Sequence, residues 1–163
     1  MAVHQLDNSG WGFASKCFVC EPSNEHGLQI PFFHDDEADL VYADYTLDDR
    51  FSGAPSYVHG GVTLAVLDEA MAWATIAVAK AFALTVRTTT EFKWPIKVGR
   101  AYRVEARILR AEGDTIEVGA VVLDPQGRPC TESSATFHAM NSQQATQAIG
   151  TEVSGDDAGY VKG

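Results

Sequence analysis

Tyr57–Thr75, YVHGGVTLAVLDEAMAWAT, sets His59-Gly60-Gly61 in front of an apolar run and then places two adjacent carboxylates, Asp68 and Glu69, inside that run. From Val62 to Ala79 the only polar side chains are Thr63, Asp68, Glu69 and Thr75. The length of the run and its richness in Ala, Leu and Met predict a helix rather than a strand. A helix apolar nearly all round is wrapped by protein on most sides. A carboxylate taken out of water is costly unless it is paired, hydrogen-bonded or protonated, so each acid needs a reason to be there. The reasons must differ, because adjacent helical residues are rotated by about 100° from one another. For Glu69 the expectation is an ion pair with a cation of the sheet, where Arg87, Lys93, Arg103 and Arg107 are available.

His59-Gly60-Gly61 falls at the start of the helix, where backbone N–H groups have no intrahelical acceptor and the dipole favours negative charge. Glycine there either makes a tight entry turn or lets an acceptor atom approach the backbone closely. Gly60 and Asp68 are eight residues apart, which along one helix is about 12 Å. One carbonyl group cannot touch both. If the Gly60 N–H polarises a carbonyl while Asp68 attacks it or activates water, each must lie within about 3 Å of the reacting centre, so the two come from different chains. Two helices side by side and running in opposite senses, related by a two-fold axis, would give two equivalent sites.

Outward from the helix the pattern is extended. GLQIPFFH and ADLVYADYT precede it as short strands, and LTVRTTTEFKW follows it, dense in Thr, Val and aromatics and ended by Pro95. YRVEARILRA alternates Tyr102, Val104, Ala106 and Ile108 with Arg103, Glu105 and Arg107, then turns at Glu112-Gly113-Asp114 into TIEVGAVVLD. Asp124-Pro125-Gln126-Gly127 suits a type I turn and leads into RPCTESSATFHAM as the last strand. The fold class is therefore α+β: a curved, mainly antiparallel sheet of about six strands around one long central helix. Residues 1–16 read as an N-terminal extension, 17–140 as the domain, and 141–163 as a polar tail that folds weakly or not at all.

The 163 residues suffice for one domain, and 45% hydrophobic with 21% charged residues is the composition of a soluble globular protein. A net charge of −10 without a basic cluster argues against nucleic-acid binding. The run Val62–Ala79 is of membrane-spanning length, but each carboxylate at its middle would cost about 2.5–3.5 kcal/mol on insertion, so no membrane span is expected. MAVHQLDNSGWGFASKC lacks the features of a secretory signal, which makes a cytoplasmic location the default. Cys17, Cys20 and Cys130 are odd in number, which disfavours a disulfide framework. Cys17-x-x-Cys20 has His26 nearby but no second paired motif to complete a zinc set, and it reads as two reduced thiols packed under the domain edge.

VHGGVTLAVLDEAM closely resembles the helix motif of hotdog-fold acyl-CoA thioesterases of the PaaI-like superfamily, a His-Gly-Gly followed by an acid nine positions after the His. Gly53-x-Pro55, Lys93-Trp94-Pro95-Ile96 and the Cys17–Leu28 stretch CFVC…GL also fit, and the resemblance runs from about Cys17 to His138. It implies a six-stranded antiparallel sheet around the helix, assembled as homodimers and often homotetramers, and hydrolysis of an acyl-CoA thioester to a free acid and CoA. Gly60 takes the position whose N–H polarises the thioester carbonyl, and Asp68 that of the nucleophile or general base. His59 matches the family's His, for which a buried, hydrogen-bonded structural role is expected. Thr85 is the nearest match to the Ser or Thr that orients water or the acid in several relatives. Gly61, Met71, Trp73 and Phe82 are the candidate substrate contacts. Neither a metal nor a cofactor is implied. Gly53 stands where many relatives carry Asn or Gln, and Glu21 and Asn24-Glu25 depart from the usual N-terminal motif. The alternatives are a hotdog module that binds acyl-CoA or an acyl chain without turning it over, or a hydratase on the same fold.

Overall fold

In the computed structural model, which describes residues 2–9, 13–153 and 159–161, seven strands and two helices follow in the order β1 (Val3–Leu6), β2 (Phe32–Asp35), β3 (Leu40–Thr46), α1 (Gly60–Ala77), β4 (Ala83–Phe92), β5 (Ala101–Glu112), β6 (Thr115–Leu123), β7 (Pro129–Ala139) and α2 (Ser142–Ile149). The strands form one antiparallel sheet in the order β1-β2-β3-β5-β6-β7-β4. β4 thus follows α1 in sequence but pairs with β7, and the helix crosses the sheet between the two halves of the chain.

The β5–β6 hairpin pairs Glu112 with Thr115 across a two-residue turn in which Gly113 has φ +60°, a conformation glycine adopts without steric cost. At the β6–β7 turn the Gly127 N–H donates to the Asp124 carbonyl. The Asp124 carboxylate closes the turn by accepting from the backbone N–H groups of Gln126 and Arg128 and from Arg128 Nε. These side-chain bonds are why Asp, rather than any polar residue, begins the turn.

α1 lies across β2 to β6 and packs Thr63, Val66, Leu67, Ala70, Met71, Ala74 and Ala77 inward, the spacing of one helical face. Leu67, Ala70, Met71 and Ala74 are fully buried. Its opposite side, with Leu64, Asp68 and Ala72 four residues apart, is only half-buried. The helix ends where Lys80 takes φ +54° and the Ala81 N–H turns back to the Thr75 carbonyl. Among the described residues no helix is long and apolar enough to cross a membrane.

Three elements depart from the sequence reading. Val3–Leu6, in the expected N-terminal extension, pairs with β2 as a seventh strand at the sheet edge. The expected tail contains α2, held by a capping box in which Asn141 Oδ1 accepts from the Gln144 N–H and Gln144 Oε1 accepts from the Asn141 N–H, and ended by Gly150 at φ +81°. Ala145 of this short helix is buried in the core. The strand expected within Gly27–His34 is confined to its last part, and the residues before it, Leu28 and Ile30, pair instead with Phe18 and Val19.

Candidate active site

The start of α1 is organised by His59. Its ring Nδ1 accepts from the Gly61 N–H at 2.8 Å, and its carbonyl accepts from the Val62 and Thr63 N–H groups at 3.0 and 3.1 Å. A neutral imidazole with its proton on Nε2 satisfies this arrangement. Three of the first four helical N–H groups are thereby capped. The fourth, that of Gly60, meets no acceptor among the described residues. His59 is hydrogen-bonded and exposed in the single chain. Gly53 lies against it: a Cβ there would sit 3.4 Å from the His59 Cα and Cδ2.

A shallow apolar groove of about 280 Å³ opens beside Gly60, walled by Tyr57, Phe92 and Trp94. A Cβ on Gly60 would approach Phe92 Cε1 to 3.6 Å, ordinary contact distance. The unpaired N–H therefore stands at the rim of an apolar recess, where a carbonyl oxygen could reach it.

Asp68, two turns further along α1, is held from the sheet. Thr85 Oγ1, on β4, donates to Asp68 Oδ1 at 2.6 Å. The sequence separation of 17 residues is bridged because β4 returns along the helix immediately after it ends. Asp68 is half-buried and Thr85 exposed, so one carboxylate oxygen is oriented while the group still faces solvent. Beside β7 the register slips between Thr85 and Arg87, a bulge at the strand position next to this contact.

Glu69 makes no ion pair among the described residues. Of its expected partners, Lys93 pairs with Glu132, Arg103 with Asp44, and Arg107 donates to the Ala38 carbonyl. What meets Glu69 is a thiol: Cys17 Sγ donates to Glu69 Oε1 at 3.2 Å, and the Cys20 N–H donates to Cys17 Sγ at 3.4 Å. Burial, and next the charge of the Cys17 sulfur, push the Glu69 carboxyl up to about 8. The Cys17 thiol is drawn down, chiefly by its hydrogen bond from Cys20, whose own thiol is pushed up by the same bond. The sequence alone points to packing thiols, and only the folded arrangement joins the cysteines to Glu69.

Of the candidate substrate contacts, Gly61 sits on the exposed helix start. Met71 and Trp73 lie in the core at 0% and 3% exposure. Phe82 is also buried and tilts against Tyr160 at a centroid distance of 5.9 Å. The helix start and the Asp68–Thr85 pair are thus separate places on one chain, and Met71 and Trp73 adjoin neither on an open surface.

Residues 56–131 match the sequence profile of the thioesterase superfamily. No curated protein matches the chain significantly. The fold is similar to that of a crystal structure described as a thioesterase superfamily protein, with TM-score 0.67 and 20% identity over 72% of this chain and 57% of that one. It is also similar to a Streptococcus mutans protein solved with acetyl CoA, with TM-score 0.60 and 16% identity over 63% of this chain and 82% of that one. The E. coli PaaI protein of the phenylacetic acid degradation operon aligns with TM-score 0.57 and 17% identity over 61% of this chain and 75% of that one. The chain thus spans just over half the length of the first of these structures. By the shared architecture this chain has the hotdog fold, and residues 56–131, just under half of it, carry the sequence profile of the thioesterase superfamily.

Proposed function

We propose that the protein hydrolyses an acyl-CoA thioester to a carboxylic acid and CoA, at sites shared between two copies of the chain. The observation that carries this reading is the pairing of an oriented, solvent-facing carboxylate, Asp68 held by Thr85 at 2.6 Å, with an uncapped helix N–H at Gly60. The carboxylate either attacks the thioester carbon, giving a mixed anhydride that water then opens to the free acid, or takes a proton from water that attacks the carbon directly. The Gly60 N–H, with the positive end of the α1 dipole behind it, stabilises the oxyanion that develops on the carbonyl oxygen. The leaving group is the CoA thiolate, whose low basicity asks for little acid assistance. The groove of Tyr57, Phe92 and Trp94, which Gly60 also lines, receives the apolar part of the substrate next to the thioester.

The about 12 Å between Gly60 and Asp68 along α1 requires the partner. Its place is supported by β4, a ten-residue strand at the sheet edge whose Leu84, Val86 and Phe92 are 52, 62 and 53% exposed. A long apolar edge pairs with another chain unless something blunts it. Antiparallel pairing of two such edges lays the two α1 helices side by side in opposite senses, which sets Gly60 of one copy against Asp68 of the other. In the solved neighbour from Streptococcus mutans the ligand is acetyl CoA, which supports the class of substrate.

The test is release of free thiol from a panel of aliphatic and aromatic acyl-CoA esters, run on wild type and Asp68→Asn side by side. Turnover by the wild type that falls by orders of magnitude in Asp68→Asn supports the proposal. Saturable binding without thiol release favours a non-catalytic acyl-CoA module, and equal turnover by both proteins refutes the role of Asp68.

A further inference from the structure

We infer that Cys17, Cys20 and Glu69 form a binding site for a thiophilic divalent cation, zinc above all, which ties the N-terminal segment to α1. The sulfur atoms of the two cysteines and a carboxylate oxygen of Glu69 all lie within 4.8 Å of one another. A tetrahedral zinc ion with bonds of about 2.3 Å to sulfur and 2.0–2.2 Å to oxygen spaces its ligands about 3.5–3.8 Å apart. The Cys17 Sγ to Glu69 Oε1 distance of 3.2 Å is already close to that edge. The Cys-x-x-Cys spacing bends the chain so that both sulfurs face one point, and the Glu21 N–H closes this bend on the Cys17 carbonyl. The Cys20 N–H bonded to Cys17 Sγ does what outer groups do in metal sites, orienting the sulfur and favouring its anionic form.

The charges point the same way. Three groups that each become anionic on losing a proton converge where no Lys, Arg or His pairs with Glu69 among the described residues. On binding, the protons that the two cysteines and the Glu69 carboxyl still carry pass to solvent, and the cation takes their place with water as the fourth ligand. His26 is not part of the group. A Cys17–Cys20 disulfide accounts for the site less well, because oxidation removes the thiol proton that Cys17 Sγ donates to the Glu69 carboxylate. Glu69 is the neighbour of Asp68 in the chain but turned about 100° away from it, so the ion braces the back of the catalytic helix and does not face the substrate. The inference stands whether or not the protein is a thioesterase.

The experiment uses the full chain, stripped with a chelator under reducing conditions and titrated with Co²⁺. The expected result is thiolate-to-cobalt charge-transfer absorption, with the visible bands of a tetrahedral site, saturating at one ion per chain and displaced by Zn²⁺. Cys20→Ser should lower the charge-transfer intensity by about half, since one of two thiolates is lost. Glu69→Gln, which keeps the side-chain shape and so the fold, should retain the absorption but weaken Co²⁺ affinity by about 100-fold or more. Reduced wild type that takes up no cobalt overturns the site, as does unaltered affinity in Glu69→Gln. Absorption that persists in the Cys17→Ser/Cys20→Ser double variant also overturns it, because the ion would then reside at Cys130.

Discussion

Thr85 Oγ1 donates a 2.6 Å hydrogen bond to Asp68 Oδ1, joining the edge strand β4 to the middle of α1. The bond does two things to the carboxylate: it fixes the torsion of the side chain, and it occupies one oxygen so that the other is the one free to act. Thr85→Val keeps the shape and removes the donor. It should lower kcat by about 10- to 100-fold, less than the about 10²- to 10⁴-fold expected for Asp68→Asn, while Thr85→Ser recovers most of the activity. Steady-state thiol release from one acyl-CoA ester measures all three, and a Thr85→Val enzyme as fast as wild type would remove Thr85 from the site.

The oxyanion assignment can be tested by removing the donor. Proline at position 60 replaces the N–H with a ring carbon, and Gly60 is the first residue of the helix, where proline is well tolerated. His59, with φ −58° and ψ 134°, already has the extended backbone that precedes proline, and the nearest atom to an added Cβ is Phe92 Cε1 at 3.6 Å. Gly60→Pro should fold normally by circular dichroism and lose about 10²- to 10³-fold in kcat with KM little changed. Loss of activity through unfolding would leave its mark in the melting curve.

Much of this geometry was open to sequence reading because it is local. The helix is a matter of apolar run length, the β5–β6 and β6–β7 turns of Gly113 and Asp124-Pro125-Gln126-Gly127, and the cap of the residues His59-Gly60-Gly61 themselves. What escaped depends on distant partners. β1 is four residues, Val3–Leu6, whose pattern is too short to register and whose stability comes from β2 across the sheet. α2 is polar on most sides and is recognised by its Asn141–Gln144 capping box rather than by an apolar period. For Glu69 the sequence points to a cation because buried acids usually have one, whereas its partner is a thiol 52 residues away. Met71, Trp73 and Phe82 illustrate the converse: aromatic and sulfur-containing side chains look the same in sequence whether they line a pocket or, as here, fill a core.

The core beneath the site should be sensitive to truncation. Leu67 is completely buried on the inward face of α1, next in sequence to Asp68. Leu67→Ala removes apolar contacts and leaves a cavity, and should destabilise the protein by about 2–5 kcal/mol in denaturant titration. A cost below about 1 kcal/mol would mean that the helix is not seated on the sheet as described.

Acid should weaken the β6–β7 turn. The Asp124 side chain is almost wholly buried, and the N–H groups of Arg128 and Gln126 and the Arg128 guanidinium hold its carboxyl below the usual carboxylate range. A depressed folded-state value means that the stabilisation is complete above the ordinary value of about 3.9 and is lost as pH falls through the folded one. Wild type should therefore melt above Asp124→Asn near neutrality, and the difference in Tm should shrink below about pH 4. A difference independent of pH would show that charge plays no part.

The proposed sharing of the site between two copies makes the most specific prediction. If Asp68 of one copy works with Gly60 of the other, Asp68→Asn and Gly60→Pro homodimers are each inactive at both sites. A heterodimer of the two variants combines both defects at one site and neither at the other. Unfolding and refolding an equal mixture should give heterodimers as half of the population, each with one of two sites intact, and so restore about a quarter of wild-type activity. If both groups served a site within one chain, every chain in the mixture would carry a defect and no activity would return. Leu64 lies midway between Gly60 and Asp68 on the half-buried side of α1, where the two-fold axis must then pass. Leu64→Asp in both chains brings like charges together at that axis. It should yield single chains by sedimentation and abolish the recovered activity in the same preparation, because neither chain then holds a complete site.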